Sequence, residues 1–324
     1  MLTDKMLSVV VVCYRDAGSV RALYERLTKT LQSLTSSYEI IYVNDASPDE
    51  SATILNALAQ EDPRLTVIHQ ARNFGAQAGF TAGMVQAMGN AVILMDGDLQ
   101  DPPELIGDFV QKWQEGYEVV YGVRRKREKS MGRLNELLYH LFYVVLNSLS
   151  YVRIPLDAGE FSLMDRRVVD KVNALPERDR LIRGLRAWVG FRQTGVPYTR
   201  PERYAGTSTN SFFRNTKWAR KAICSFSYAP LEWVSLLAGL MVLLSVVGMI
   251  FYIVTFFAYP EVPRGLTTIF VLVLFLGSIQ LFSLSVIAEY LGRIFEETKQ
   301  RPRYITREIV NDHRSEKDAG VRQG

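Results

Sequence analysis

Short apolar runs alternate with segments of helical periodicity over the first two thirds of the chain. Leu7–Cys13 is a continuous, largely β-branched run, typical of a strand that is covered on both faces. Further strands are predicted at 39–43, 65–69, 91–95 and 118–122, and helices at about 19–34, 50–60 and 76–88. With right-handed crossovers, this alternation predicts an α/β fold with a doubly wound, mostly parallel sheet.

Two later segments, residues 233–257 and 266–291, stay apolar for longer than the roughly 20 residues that span hydrocarbon. A buried core helix rarely stays apolar all round for that length, so two transmembrane helices are predicted. Basic residues precede the first segment and follow the second, whereas the loop at 258–265 carries only Glu261 and Arg264. By the positive-inside bias, we expect both termini and the N-terminal domain in the cytoplasm.

These patterns divide the chain into four parts. They are a domain at 1–205, an amphipathic juxtamembrane segment at 206–231, a two-helix transmembrane domain at 232–291 and a basic C-terminal tail at 292–324. The tail is charged, and we expect it to be disordered beyond Ile309.

Three basic side chains of the juxtamembrane segment, Arg214, Lys217 and Lys221, group away from apolar residues that recur at helical spacing. A basic amphipathic helix of this kind lies at the headgroup level, where these cations would meet a lipid-borne phosphate. A membrane anchor that contacts no substrate is the alternative interpretation.

Composition adds few constraints. The chain has 324 residues and a net charge of only +4, and we expect no nucleic-acid partner. Its two cysteines form no disulfide framework, which fits a reducing compartment. Its three histidines lack metal-ligand spacing. Because the chain has neither a dinucleotide fingerprint nor a P-loop, a metal ion and arginines would have to hold any phosphates.

An acidic stretch, Asp-Gly-Asp-Leu-Gln-Asp-Pro-Pro-Glu at 96–104, directly follows the predicted strand at 91–95. Open parallel sheets bind their ligands at the carboxyl ends of strands. Asp96 and Asp98 can both turn toward one hard cation, which suits Mg²⁺ or Mn²⁺ on nucleotide phosphates. The alternative is a helix start with Asp101 as N-cap and Pro102 at the first helical position, which leaves Asp96 and Asp98 unexplained.

Other candidate ligands follow neighbouring strands. Asp45 follows the strand at 39–43, where its carboxylate can accept a hydrogen bond from a nucleobase or a ribose, although a simple Asx turn is the alternative. Arg124 and Arg127 follow the strand at 118–122. Their guanidinium groups can neutralise a diphosphate, or they can form a solvated or lipid-facing charged surface.

Five motifs together carry a family resemblance. They are Cys-Tyr-Arg-Asp at 13–16, Val-Asn-Asp-Ala-Ser at 43–47, Arg-Asn-Phe-Gly at 72–75, the acidic stretch at 96–104 and Asp-Ala-Gly-Glu-Phe at 157–161. In this order, ahead of two apolar spans, they resemble family 2 glycosyltransferases. Within that family the chain is most similar to the polyprenyl-phosphate glycosyltransferases, which include dolichol-phosphate mannose synthases and bacterial bactoprenol glucosyltransferases.

The resemblance implies a GT-A fold and inverting, metal-dependent transfer of a hexose to polyprenyl phosphate, at the cytoplasmic face of a bacterial plasma or inner membrane. UDP-glucose is the first expected donor, ahead of GDP-mannose and UDP-N-acetylglucosamine, and a homo-oligomer is expected. By position, the resemblance implies that Asp45 contacts the nucleobase of the donor and that Tyr14 and Asp16 make further donor contacts. It also implies that Asp96, Asp98 and Gln100 bind the metal ion. Asp157 would be the catalytic base.

Some positions depart from the family pattern. Glu160 and Ser162 stand where Asp and Arg are usual, and Thr209-Asn210 replace Lys-Tyr. Asp157 has two further interpretations: it orients an acceptor phosphate that is already dianionic, or it only caps a helix.

Two other function classes remain. Chains that resemble processive polysaccharide synthases carry a Gln-x-x-Arg-Trp motif and more membrane spans. This sequence has neither. A non-enzymatic sugar-nucleotide sensor would tolerate loss of Asp157.

Overall fold

The computed structural model describes residues 1–124, 158–200, 227, 229–258 and 266–313. These residues fall into two compact units, one built on a β-sheet and the other on two long helices.

The sheet unit follows the predicted alternation of strands and helices. Its first part contains β1 (Leu7–Cys13), α1 (Ala17–Leu34), β2 (Tyr38–Asn44), α2 (Ser51–Glu61), β3 (Leu65–Gln70), α3 (Ala76–Gln86), β4 (Ala91–Asp96), a 3₁₀ turn (Pro103–Leu105), α4 (Ile106–Gln114) and β5 (Val119–Arg124). Its later part contains β6 (Ala158–Asp165), α5 (Arg166–Ala174), α6 (Ile182–Trp188), β7 (Gln193–Tyr198) and β8 (Thr306–Val310). The elements predicted up to residue 124 are confirmed, with ends that differ by a residue or two.

Within the described residues the sheet has eight strands in the order β7-β5-β6-β4-β1-β2-β3-β8. Strands β1 to β5 and β7 run in the same direction, while β6 and β8 are antiparallel to their neighbours. The predicted mostly parallel sheet is therefore confirmed. All seven residues of β1 and of β2 are buried, as expected for strands covered on both faces.

Helix packing explains two features of the sequence. The apolar stripe of α1 is fully buried, and it comprises Val20, Leu23, Leu27, Leu31 and Leu34. Helix α3 lies very close to β1, because a Cβ atom placed on Gly83 would lie 2.2 Å from Cγ1 of Val10. A glycine at this position is what permits the close approach of helix and strand.

Strand β8 was not predicted. It pairs antiparallel with β3, with Val310 opposite Val67, although residues 292–324 were expected to form a tail. Beyond β8, Asn311 donates hydrogen bonds from Nδ2 to the carbonyl oxygens of Ala59 (2.7 Å) and Leu65 (3.0 Å). The prediction of disorder beyond Ile309 is therefore wrong for residues 310–313, because pairing with a distant strand outweighs their polar composition.

The second unit contains α7 (Ala229–Ala258) and α8 (Leu266–Thr298). Each includes a 27-residue stretch long and apolar enough to cross a membrane, Ala229–Thr255 with a mean hydropathy of 2.6 and Leu272–Thr298 with 1.9. Neither stretch is buried within the protein. The two predicted spans thus correspond to two candidate membrane helices. The predicted amphipathic segment lies almost entirely outside the described residues.

Candidate active site

The strands that run in the same direction end at one edge of the sheet. The register pairs Cys13 with Asn44 and Val12 with Asp96, so the carboxyl ends of β1, β2 and β4 lie side by side. On the other side of β6, Arg124 ends β5 and is the register partner of Tyr198 in β7. Asp96 and Arg124, which the sequence predicts as ligands, therefore both lie at this edge.

The acidic stretch forms a tight loop after β4. The backbone N–H of Gly97 donates to the carbonyl of Val12, and a Cβ atom on Gly97 would lie 3.0 Å from that oxygen. Leu99 adopts a left-handed conformation with φ of 61°, and the N–H of Gln100 donates to Oδ1 of Asp98 at 3.1 Å. The loop thus turns back on itself against β1, and it keeps the Asp98 side chain buried at 5% exposure.

Asp101 does not cap a helix. Pro102 has an extended conformation, the 3₁₀ turn begins at Pro103, and no side chain caps it. The Asp101 carboxylate instead accepts hydrogen bonds from the Tyr198 hydroxyl (2.9 Å) and from the backbone N–H of Asp96 (3.3 Å). The alternative of a helix start with Asp101 as N-cap is therefore wrong, because this side chain braces the acidic loop against β7.

The loop concentrates negative charge. Burial, followed by the charges of Asp101 and Asp98, raises the pKa of Asp96 to about 8, although Arg200 and Arg124 oppose the shift. Burial likewise raises the pKa of Asp101. The nearby arginines therefore leave part of this charge uncompensated, and a divalent cation would neutralise it.

The donor set fits a small, hard cation that keeps open positions. Among the described residues, no three acidic, histidine or cysteine side chains surround one point. Mg²⁺ is usually held by one or two carboxylates and completes its shell with water and substrate phosphates. Asp96 and Asp98, with Gln100 beside them, meet that requirement in the presence of a nucleotide diphosphate.

The loop after β1 presents Tyr14 at the same edge. The Tyr14 N–H donates to Oδ2 of Asp16 at 2.9 Å, and 39% of Tyr14 is exposed. Arg15 has a φ of 62°, and its N–H donates to the Ser47 hydroxyl at 2.7 Å. The loops after β1 and β2 are therefore joined, with Asp16 supporting the backbone below the Tyr14 ring.

Asp45 holds a neighbouring loop. Its two carboxylate oxygens accept the backbone N–H groups of Phe74 (2.7 Å) and Gly75 (2.9 Å), and only 2% of the residue is exposed. Burial raises the pKa of Asp45, while these two hydrogen bonds lower it. Gly75 has a φ of 89°, which suits glycine. The side chain expected to bind a base thus also fixes the segment after β3.

A buried histidine supports the same loops, as sequence reasoning did not foresee. Nδ1 of His69 lies 3.0 Å from Nδ2 of Asn44, and Nε2 lies 2.8 Å from Oδ1 of Asn56. These partners assign the proton to Nε2, because the Asn44 amide donates to Nδ1. Oδ1 of Asn44 in turn accepts the Ser47 N–H at 2.9 Å. His69 is thus a core residue, with only 1% of its surface exposed.

Further arginines surround the start of β6. Arg183 donates to the carbonyl of Ala158 (3.2 Å), and the fully buried Arg186 donates to that of Gly159 (3.3 Å). No sequence signal distinguished these two side chains from a solvated helix face. The remaining predicted site residues, Asp157, Arg127, Arg214, Lys217 and Lys221, lie outside the described residues.

The mostly parallel sheet and the acidic loop after β4 together define a GT-A glycosyltransferase. The chain belongs to glycosyl transferase family 2, whose family model matches residues 8–172. The family resemblance, the fold class and the assignment as an enzyme are thereby confirmed.

Similar proteins cover nearly the whole chain. An uncharacterized glycosyltransferase of Synechocystis sp. is 40% identical over 94% of this chain and 95% of its own. The SfII prophage-derived bactoprenol glucosyl transferase of Shigella flexneri is 35% identical over 95% of this chain and 98% of its own. Among solved structures, glucosyl-3-phosphoglycerate synthase from Mycobacterium tuberculosis is 18% identical, with a TM-score of 0.44 over 68% of this chain and 78% of that one.

Proposed function

We propose that this glycosyltransferase transfers glucose from UDP-glucose to a polyprenyl phosphate, with inversion at the anomeric carbon. The observation that carries the proposal is the similarity to the bactoprenol glucosyl transferase of Shigella flexneri over 95% of this chain. This similarity extends beyond the sheet unit into the two apolar helices, as expected if both proteins meet a lipid-borne acceptor.

Asp96, Asp98 and Gln100 would hold a divalent cation, either Mg²⁺ or Mn²⁺. When bound, the cation neutralises the negative charge of the departing diphosphate. Arg124 lies across the edge from the acidic loop, where its guanidinium can donate two hydrogen bonds to phosphate oxygens. The negative charge of the departing diphosphate would thus be neutralised from the ends of two strands, by the cation on the loop after β4 and by Arg124 at the end of β5.

The nucleoside end of the donor would lie beside the loops after β1, β2 and β3. Tyr14 offers an exposed ring for stacking, Asp16 supports its backbone, and Asp45 fixes the segment at 74–75. Asp45 would also contact the base. Because the N–H groups of that segment are already held, the pocket needs little rearrangement when the donor binds.

Asp157 would stand beside the acceptor, directly before β6. A phosphate monoester has a second pKa of about 6, so at neutral pH much of the acceptor is already a dianion. Asp157 therefore orients the acceptor phosphate, or takes its last proton when it is still present.

The candidate membrane helices would bring the sheet unit to the lipid. Basic residues precede the first helix and follow the second in the sequence, which supports a cytoplasmic sheet unit and two cytoplasmic termini. Arg214, Lys217 and Lys221 would attract the acceptor phosphate at the membrane surface, with Arg127 as a further cation near the donor. We also propose that the protein forms a homo-oligomer.

The test uses purified full-length protein with radiolabelled UDP-glucose, polyprenyl phosphate and Mn²⁺. We expect label in the organic phase, and its loss with a chelator or with Asp96→Ala. Parallel reactions with GDP-mannose and UDP-N-acetylglucosamine distinguish a different donor from a wrong reaction class. Nucleotide binding without transfer from any of the three donors would overturn the proposal in favour of a sugar-nucleotide sensor.

A further inference from the structure

Tyr198 lies between Arg124 and the acidic loop. Its hydroxyl donates to Oδ1 of Asp101 at 2.9 Å and accepts a hydrogen bond from Nε of Arg124 at 3.4 Å. The other oxygen of Asp101 accepts the backbone N–H of Asp96. One phenol thus connects the arginine at the end of β5 with the loop that carries Asp96 and Asp98.

Two glycines make room for this arrangement. A Cβ atom on Gly122 would lie 2.8 Å from Cε1 of Tyr198, so the absence of a side chain lets the ring approach β5 closely. A Cβ atom on Gly159 would lie 2.8 Å from Nη2 of Arg124, so the guanidinium rests on the backbone of β6. The positions of the ring and of the guanidinium are therefore both built into the sheet.

The remaining contacts of Tyr198 hold the ring without using the hydroxyl. Phe161 packs edge-on against it, with ring centroids 5.9 Å apart, and only 5% of Tyr198 is exposed. Burial and the charge of Asp101 raise the pKa of Tyr198, so the hydroxyl stays protonated and can both donate and accept. A phenylalanine would keep the packing but could do neither.

We propose that Tyr198 is a positioning residue for the donor, which sets the Arg124 guanidinium at the distance from the acidic loop that a cation-bound diphosphate requires. This inference rests on the proposed function and assigns a role that the sequence did not suggest. Tyr198 touches neither the cation nor the sugar in this scheme, because it acts through Arg124, while Asp101 holds its hydroxyl in place.

The first test measures binding of UDP and of UMP by calorimetry in the presence of Mn²⁺. Tyr198→Phe is expected to weaken UDP binding about tenfold, the effect of losing a hydrogen bond to a charged group. UMP has a single phosphate and should be affected less than twofold. Gly159→Ala, which displaces Arg124 but keeps the hydroxyl, should give the same pattern.

A double-mutant cycle separates positioning from general damage. If Tyr198 acts through Arg124, Tyr198→Phe should change UDP affinity less than twofold in an Arg124→Ala background. Tyr24→Phe is the matched control, because it removes another hydroxyl that donates to an aspartate, Asp62 at 2.7 Å, far from this edge. It should leave UDP affinity unchanged, and melting temperatures verify that every variant is folded.

The outcomes separate the two proposals. Wild-type affinity for UDP in Tyr198→Phe, or the same tenfold loss in the Arg124→Ala background, would overturn the positioning role alone. A wild-type protein that binds no nucleoside diphosphate would overturn the proposed function and this inference with it.

Discussion

Replacing Asp45 by asparagine separates a structural role from a ligand contact. The carboxylate accepts two backbone N–H groups, from Phe74 and Gly75, and is almost fully buried. An asparagine retains one acceptor oxygen but turns an NH₂ group toward the other N–H. One buried donor then loses its partner and faces another donor. We therefore expect Asp45→Asn to destabilise the nucleotide-free protein.

The structure sets the size of the effect. A hydrogen bond to a charged group contributes about 1.5–3 kcal/mol, and an unsatisfied buried donor costs about 1–3 kcal/mol. Because burial of the carboxylate offsets part of this gain, a loss of about 2–4 kcal/mol in the free energy of unfolding is expected. For a domain of this size, 1 kcal/mol shifts the melting temperature by about 2–4 °C, so the melting temperature should fall by about 5–15 °C.

The assay is thermal unfolding of the full-length protein in detergent without nucleotide, followed by UDP binding. Asp108→Ala, at an exposed position on α4, is the control and should shift the melting temperature by no more than about 2 °C. If Asp45→Asn has the melting temperature of the wild-type protein and loses only UDP affinity, the structural role of the carboxylate is wrong, because Asp45 would then serve the ligand alone.

Three further predictions concern parts of the fold away from the acidic loop. Burial and the charge of Arg307 lower the pKa of His69 in the folded protein, and Glu308 opposes this shift. As the pH falls, the unfolded chain therefore takes up a proton at His69 at a higher pH than the folded protein does. Melting temperatures should therefore fall as the pH drops below about 6.5, and less steeply in His69→Gln. Gly83→Ala places a Cβ atom 2.2 Å from a Val10 methyl group and should cost about 1–3 kcal/mol in denaturant unfolding, whereas Gly239→Ala, with open space around it, should cost nothing. Asn311→Ala removes hydrogen bonds of 2.7 and 3.0 Å to two carbonyl groups, and faster proteolysis of the C-terminal strand should follow.

Local patterns were sufficient for much of the fold. Strands β1 to β5 and helices α1 to α3 follow from apolar periodicity, because each burial pattern is set by neighbours a few positions apart. The acidic loop was predictable for a similar reason, since carboxylates at the end of a buried strand must lie at the ligand-binding edge. Asp96, Asp98, Asp45 and Arg124 accordingly lie where the sequence indicated.

Long-range partners could not be predicted from the sequence alone. Strand β8 is short and half-exposed, and it forms only because β3, more than two hundred positions earlier, offers an open edge. Asp101 has the sequence context of an N-cap, yet its partner is Tyr198 on β7. His69 has no spacing that marks it, because Asn44 and Asn56 reach it only through the packing of α2 on the sheet.

We propose that the acidic loop binds the donor's diphosphate through a divalent cation. The most direct measurement is calorimetric binding of UDP with and without Mn²⁺, for the wild-type protein and for Asp98→Asn. We expect UDP to bind the wild-type protein at least tenfold more tightly with Mn²⁺, and we expect Asp98→Asn to abolish this gain. Equal affinity with and without the cation, or a full Mn²⁺ effect in Asp98→Asn, would contradict it.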